Sequence, residues 1–235
     1  MLTLRCAFSL FLFLTLGMVQ GWGQIPLEIW EIQGSGNSSP YLGQAVATTD
    51  NIVTAVGDDF FFVQTPATRS DNSIATSDGL TVFTNGTPNV EVGDLVDVSG
   101  TVREIDRTTN ISGFDVVYTT TDQDAPLPDP VVLTAGFPSP NAVTIPDLER
   151  VEGMRVSFTA AVVGPCGSSA IAALAIGDRP FREAGIRFPG PNDLPEWDGN
   201  PELFFFDPDA LNQPDNRFLS FGEVVTATAV MAHWG

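Results

Sequence analysis

Past its first two dozen residues the chain reads as short alternations of apolar and polar positions, broken by turn-forming residues. Gln44–Thr48, Ile52–Val56, Phe60–Gln64, Leu80–Thr84, Leu95–Ile105 and Asp115–Thr119 are rich in Val, Ile, Phe and Thr, with Gly, Asn, Asp or Pro between them. This pattern predicts β-strands, and with little sustained helical period it predicts an all-β sandwich or barrel. In the longest run Val96, Val98, Gly100 and Val102 share one face, while Asp97, Ser99, Thr101 and Arg103 share the other. One side should therefore meet a core and the other water. Gly100 predicts a bulge or bend, a device by which small barrels turn corners.

A stiff Pro- and Asp-rich stretch, 122–130, interrupts the alternation and reads as a domain boundary. Beyond it, Pro146–Gly153 opens with Pro, carries acids early and closes on Gly, which predicts a short helix. Met154, Val156, Phe158, Ala160 and Val162 then alternate with Arg155, Ser157, Thr159 and Ala161, as a half-buried strand does. Gly93–Gly100 can be laid on Gly222–Ala229, a Gly-acid turn feeding an alternating strand in each half. Such a turn is common enough to recur by chance; if it is a true repeat, two related β-domains stand in tandem.

The first residues follow another rule. Arg5 precedes a nearly continuous apolar run, Cys6–Met18, with small residues at Gly21 and Gly23. This is the pattern of a secretory signal peptide, shorter than the roughly 20 residues that cross a bilayer. Cleavage is expected after Gly23, giving a secreted or periplasmic protein with no stable membrane anchor. No other run is long enough to span.

Composition narrows the chemistry. All ten basic residues are arginines, against 29 acids, for a net charge of −19. That charge argues against gripping polyanions by bulk electrostatics. Loss of the leader leaves Cys166 as the one cysteine, far along the chain from the one histidine, His233, so neither an intrachain disulfide nor a cysteine nucleophile is expected.

Two constellations remain. Asp198, Asn200, Glu202, Asp207 and Asp209 gather oxygen donors of the kind Ca²⁺ prefers, although the same dipeptides make ordinary turns and helix caps, and that plainer reading is favoured. Phe60–Phe62 and Phe204–Phe206 offer rings for base stacking, with core packing the default for most of them. Phe61 is the stacking candidate, with Arg103 and Arg107 as phosphate partners.

Ile29–Gly36, Gly43-Gln44, Asn51–Val56, Phe61–Gln64, Ser77–Leu80 and Val92–Val96 together resemble the N-terminal OB-like module of secreted bacterial nucleases of the endonuclease/exonuclease/phosphatase family. Leu148–Met154, Arg179–Glu183, Trp197–Glu202 and Asp207–Asp209 resemble the next segment of the same proteins. Around the leader (1–23) and the linker (122–130) already read from the residues, the resemblance implies an OB-like β-domain (24–121) and a second OB-like domain (131–235), incomplete at its C-terminus. It stops before the family's catalytic domain, where Mg²⁺ would be held. The chain is thus expected to be an accessory module that cleaves nothing and has no cofactor of its own. Its expected partners are extracellular DNA or RNA and a downstream catalytic domain. The alternative is a structural or interaction module, Ca²⁺-stabilised in one version.

Overall fold

The computed structural model describes residues 23–134, 137, 148–164, 171–176, 203–207, 211 and 219–232. They form a nearly all-β protein with a closed five-stranded barrel and a second sheet. The first unit contains β1 (Ile25–Pro26), α1 (Ile29–Gln33), β2 (Ala45–Val56), β3 (Phe60–Gln64), β4 (Gly79–Phe83), β5 (Leu95–Ile105), β6 (Thr108–Ile111) and β7 (Val117–Asp122). The strand order is β1-β2-β3-β4-β6-β5-β7, and a further pairing of β2 with β5 closes β2, β3, β4, β6 and β5 into a ring. The pairings are antiparallel except that β4 and β6 run parallel, as do β1 and β2. Five strands closed in this way make an OB-like barrel.

Alternation decides which residues fill the barrel. Val53, Phe61, Val63, Leu80, Val82, Val96, Val98, Val102 and Ile111 form one buried cluster with Ile29 and Ile32 of α1, which plugs the barrel. Gln44–Thr48 and Ile52–Val56, which the sequence suggests are separate strands, are one strand bent at Asp50, where φ is 49°. Gly100 leaves room where a side chain would not fit: its Cβ would lie 2.7 Å from Ile111 Cγ2.

The second unit contains β8 (Val131–Val132), a 3₁₀ turn at Glu149–Val151, β9 (Arg155–Gly164), β10 (Ala172–Ile176), β11 (Leu203–Phe206) and β12 (Val224–Val230). The short helix expected in 146–153 is represented by that 3₁₀ turn; residues 138–147 lie outside the described part. Its sheet runs β11-β10-β9-β12, with β8 parallel to β9.

Hydrogen bonds reveal the relation between the units. In the first, Gly93 N donates to Val53 O and Val53 N to Asp94 O; in the second, Gly222 N donates to Val162 O and Val162 N to Glu223 O. Asp94 accepts from Glu91 N, and Glu223 accepts from Ser220 N, each through its carboxylate. At the other end of the long strand, Gly43 N donates to Val102 O as Gly153 N does to Met231 O, with φ of 78° and 71° at the two glycines. Even the bulge recurs, between Val53 and Ala55 against Val63 and Phe62, and between Val162 and Gly164 against Leu174 and Ala173. The alignment of Gly93–Gly100 with Gly222–Ala229 is therefore the visible end of a register shared across β2, β3 and β5 with β9, β10 and β12.

The cores fill the same rung in opposite ways. Phe61 of β3 faces Val82 of β4, whereas Ala172 of β10 faces Phe206 of β11. Each unit thus places one ring and one small residue there, on exchanged strands. Phe158 packs edge-on against Phe204 and Phe206, with centroids 4.9 and 5.7 Å away.

The units meet backbone to backbone. A Cβ on Gly79 would lie 2.1 Å from the carbonyl carbon of Gly153. Gly79→Ala should therefore lower stability by about 2 to 3 kcal/mol, as an overpacked contact does. Gly36→Ala, whose added methyl would meet nothing closer than 3.5 Å, should stay within about 0.5 kcal/mol of wild type when both variants are unfolded in urea.

Candidate functional site

In an OB-type barrel the second and third strands, here β3 and β4, offer the outer face on which oligonucleotides bind. Phe60, Phe62 and Phe83 lie on that side of the sheet, Phe60 5.5 Å from Phe62 and 5.9 Å from Phe83, ring centre to ring centre, but Phe62 is buried and the other two are half-buried. Phe61 points the other way. It is 0% exposed and packs edge-on against Tyr118 at 5.2 Å. The stacking role assigned to Phe61 is thereby corrected. Val63, Leu80 and Val82 need the same inward side, and a period of two sends Phe60 and Phe62 outward instead.

The arginines are engaged locally. Arg103 projects outward from β5, and its Nε donates to Ser112 O at 3.1 Å. It neighbours Asp115, whose carboxyl is held below the ordinary range chiefly by the Thr101 hydroxyl, with Arg103 adding to the effect. Arg107 sits in the Asp106–Arg107 turn between β5 and β6, with φ of 67°. Phe61, facing inward, shares no surface with either arginine.

Of the proposed oxygen donors, Asp198, Asn200, Glu202 and Asp209 lie outside the described residues, as do Cys166 and His233. Asp207 follows directly on β11 and is half-buried. Among the described residues no group of three His, Cys, Asp or Glu is placed to hold a metal ion.

What the fold does assemble is a buried polar joint between the units. The turn before β9 delivers Glu152, 1% exposed, against β4 and β6. Its Oε1 accepts from Thr109 N at 2.7 Å, and its carbonyl accepts from Ser77 Oγ at 2.5 Å. Arg155 N donates to Gln64 Oε1 at 3.0 Å, Gln33 Nε2 donates to Gly79 O at 2.6 Å, and Arg155 Nη1 reaches back to Pro128 O. Glu152 Oε2 is buried with no hydrogen-bond partner. Beside it Gln33, Ser77, Glu149 and Arg150 line a hollow with room for about one water molecule.

The electrostatics follow from that burial. Desolvation first, then the Glu149 carboxylate and more weakly that of Glu104, push the Glu152 carboxyl up to about 9, against the downward pull of the Thr109 amide. The group is thus neutral at pH 7, and its proton removes the cost of an unpaired buried charge. It acts as a pin between two sheets.

Glu152 escapes a sequence reading because a Glu before a Gly at a strand start looks like a solvated turn. Its counterpart in the first unit, Leu42, is indeed exposed. The distinguishing signal lies in a contact 43 residues away. Comparison of the chain with protein families, with curated proteins and with solved structures finds no match.

Because the folded protein holds this proton up to about pH 9 while an unfolded chain releases it near 4.5, folding is favoured most below the lower value. The contribution fades as pH rises through the window and is gone above the upper one. Glu152→Gln keeps a neutral group at every pH. Urea titrations should show the variant close to wild type at pH 5, more stable than wild type at pH 9, and with a flatter pH profile between.

Proposed function

We propose that this chain is the non-catalytic accessory part of an exported, nuclease-like protein, and that its work is to position a downstream catalytic domain rather than to grip nucleic acid. The joint at Glu152 is the observation that carries this reading. The second unit is fixed at the start of β4 and β6, through Glu152 on Ser77 and Thr109 N, and at the end of β3, through Arg155 N on Gln64, while on the expected oligonucleotide face Phe62 and Thr81 are buried. A barrel in fixed contact with its neighbour suits a spacer of defined geometry. The net charge of −19 favours the same choice, since phosphate contacts dominate nucleic-acid affinity.

Fluorescence anisotropy with a labelled single-stranded DNA, at roughly 20 mM salt where backbone contacts are strongest, should give no saturable binding. Incubation of the same DNA with the protein and Mg²⁺ should give no cleavage. Saturable binding would restore the nucleic-acid-binding version of the accessory role. Cleavage would overturn the accessory role itself.

Export belongs to the same proposal and rests on the leader pattern of residues 1–23. Expressed with that segment intact in a bacterium, the protein recovered from periplasm or medium should begin at Gln24 by intact mass. A recovered protein that retains residues 1–23 would overturn it.

A further inference from the structure

Between β4 and β5 the chain passes through Asn85-Gly86, its single Asn-Gly pair. An asparagine carries a carbonyl carbon, Cγ, within reach of the next residue's backbone nitrogen, and closure of that five-membered ring is hindered by any side chain on the next residue. Glycine has none, and its backbone turns freely enough for the approach. Both residues are exposed, and a Cβ at Gly86 would meet nothing within 4 Å, so no neighbour stands in the way of the movement. Gly86 is held through its carbonyl, which accepts from Thr84 Oγ1 at 2.5 Å. Its N–H has no hydrogen-bond partner among the described residues. The nitrogen that must attack is therefore available.

The other described asparagines lack one or another of these conditions. Asn72 is followed by Ser73, whose N–H is held by Asp71 Oδ1 at 2.9 Å, and that bond must break before the nitrogen can react. Asn37 and Asn89 are exposed but precede Ser38 and Val90. Asn51 and Asn110 are buried, each ahead of an isoleucine.

Asn85 also carries a tie. Its Nδ2 donates to Gly113 O at 3.1 Å, which joins the loop after β4 to the turn between β6 and β7. That turn presents Phe114, 98% exposed. From β5 it is held separately, by Arg103 Nε on Ser112 O and by Thr101 Oγ1 on Asp115 Oδ2. An acid at position 85 would set oxygen against the Gly113 oxygen, because an ionised carboxylate accepts and does not donate.

We propose that Asn85 is a site of spontaneous covalent modification in the folded protein, with water as the co-reactant, and that its conversion releases the Phe114 turn from β4. Hydroxide takes the Gly86 N–H proton, the nitrogen bonds to Asn85 Cγ, and the Cγ–Nδ2 bond breaks as ammonia leaves with a proton from water. Water then adds to the cyclic imide at one of its two carbonyl carbons and opens it. Opening at Cγ gives aspartate. Opening at the backbone carbonyl carbon gives isoaspartate, in which the chain runs through Cβ and Cγ and is one atom longer. Either product adds a negative charge and removes the donor to Gly113 O.

Bacterially expressed protein held in warm, mildly alkaline buffer, then digested and mapped by mass spectrometry, should gain the mass of amide-to-acid conversion at Asn85 several-fold faster than at Asn37, Asn72 or Asn89. Asn85→Gln, whose longer side chain disfavours ring closure, should lose that modification. Limited chymotrypsin cleavage after Phe114 should be several-fold faster in aged wild type and in fresh Asn85→Asp than in fresh wild type. In Asn85→Gln ageing should leave it unchanged. Faster modification at another of these asparagines, or an Asn85 that stays intact in the folded protein while reacting in urea, would overturn the site. Cleavage after Phe114 that is indifferent to the conversion would overturn its consequence.

Discussion

The first unit exists as a barrel because one strand has neighbours on two sides. β2 runs for 12 residues, pairs with β3 along one part and with β5 along another, and by pairing with β5 closes the ring. A flat strand could not do this. The bend at Asp50, the bulge at Val53–Ala55 and the side-chain-free position at Gly100 supply the curvature. Closure then fixes which alternate residues face inward, and those residues form the core with α1 seated against it. The turn at the start of the long strand is part of the same device, because its glycine amide is held by the strand that closes back on it.

Much of this was legible from alternation alone. The period of two marks β2, β3, β4, β5 and β9 within a residue or two, since each has one face on a core. β6 escaped for the opposite reason: Thr108, Thr109 and Asn110 are polar and yet buried. Their partners include the Glu152 carboxyl on the Thr109 amide, a contact with the second unit that no window along the chain contains. α1 escaped because five residues hold too little periodicity, and its start depends on a reciprocal capping box between Glu28 and Glu31. For Phe61 the pattern was readable and the parity was not: three consecutive rings fix no face until Val63 and Leu80 are assigned with them.

The joint also changes how the acidic composition reads. Acids on an open surface keep a protein away from polyanions and from itself. Glu152 does something else, because it enters an interior where the carboxyl persists in its neutral form and is held by a backbone amide. The glycines at 79 and 153 allow the backbones to approach closely enough for that contact. The two units are thus joined by short-range steric fit and hydrogen bonding more than by long-range attraction between charges.

The exchanged ring on the shared rung bears on how such a pair of units drifts apart. Phe61 with Val82, and Ala172 with Phe206, fill one volume from opposite strands. Passing from one solution to the other by single replacements crosses either two rings in the space of one or no ring at all, an overfilled or hollow core. Each residue's acceptability is conditional on the other, which is epistasis in its simplest physical form. Side chains in the two halves are consequently free to diverge along separate, mutually inaccessible paths, while the hydrogen-bonded frame that admits both arrangements persists.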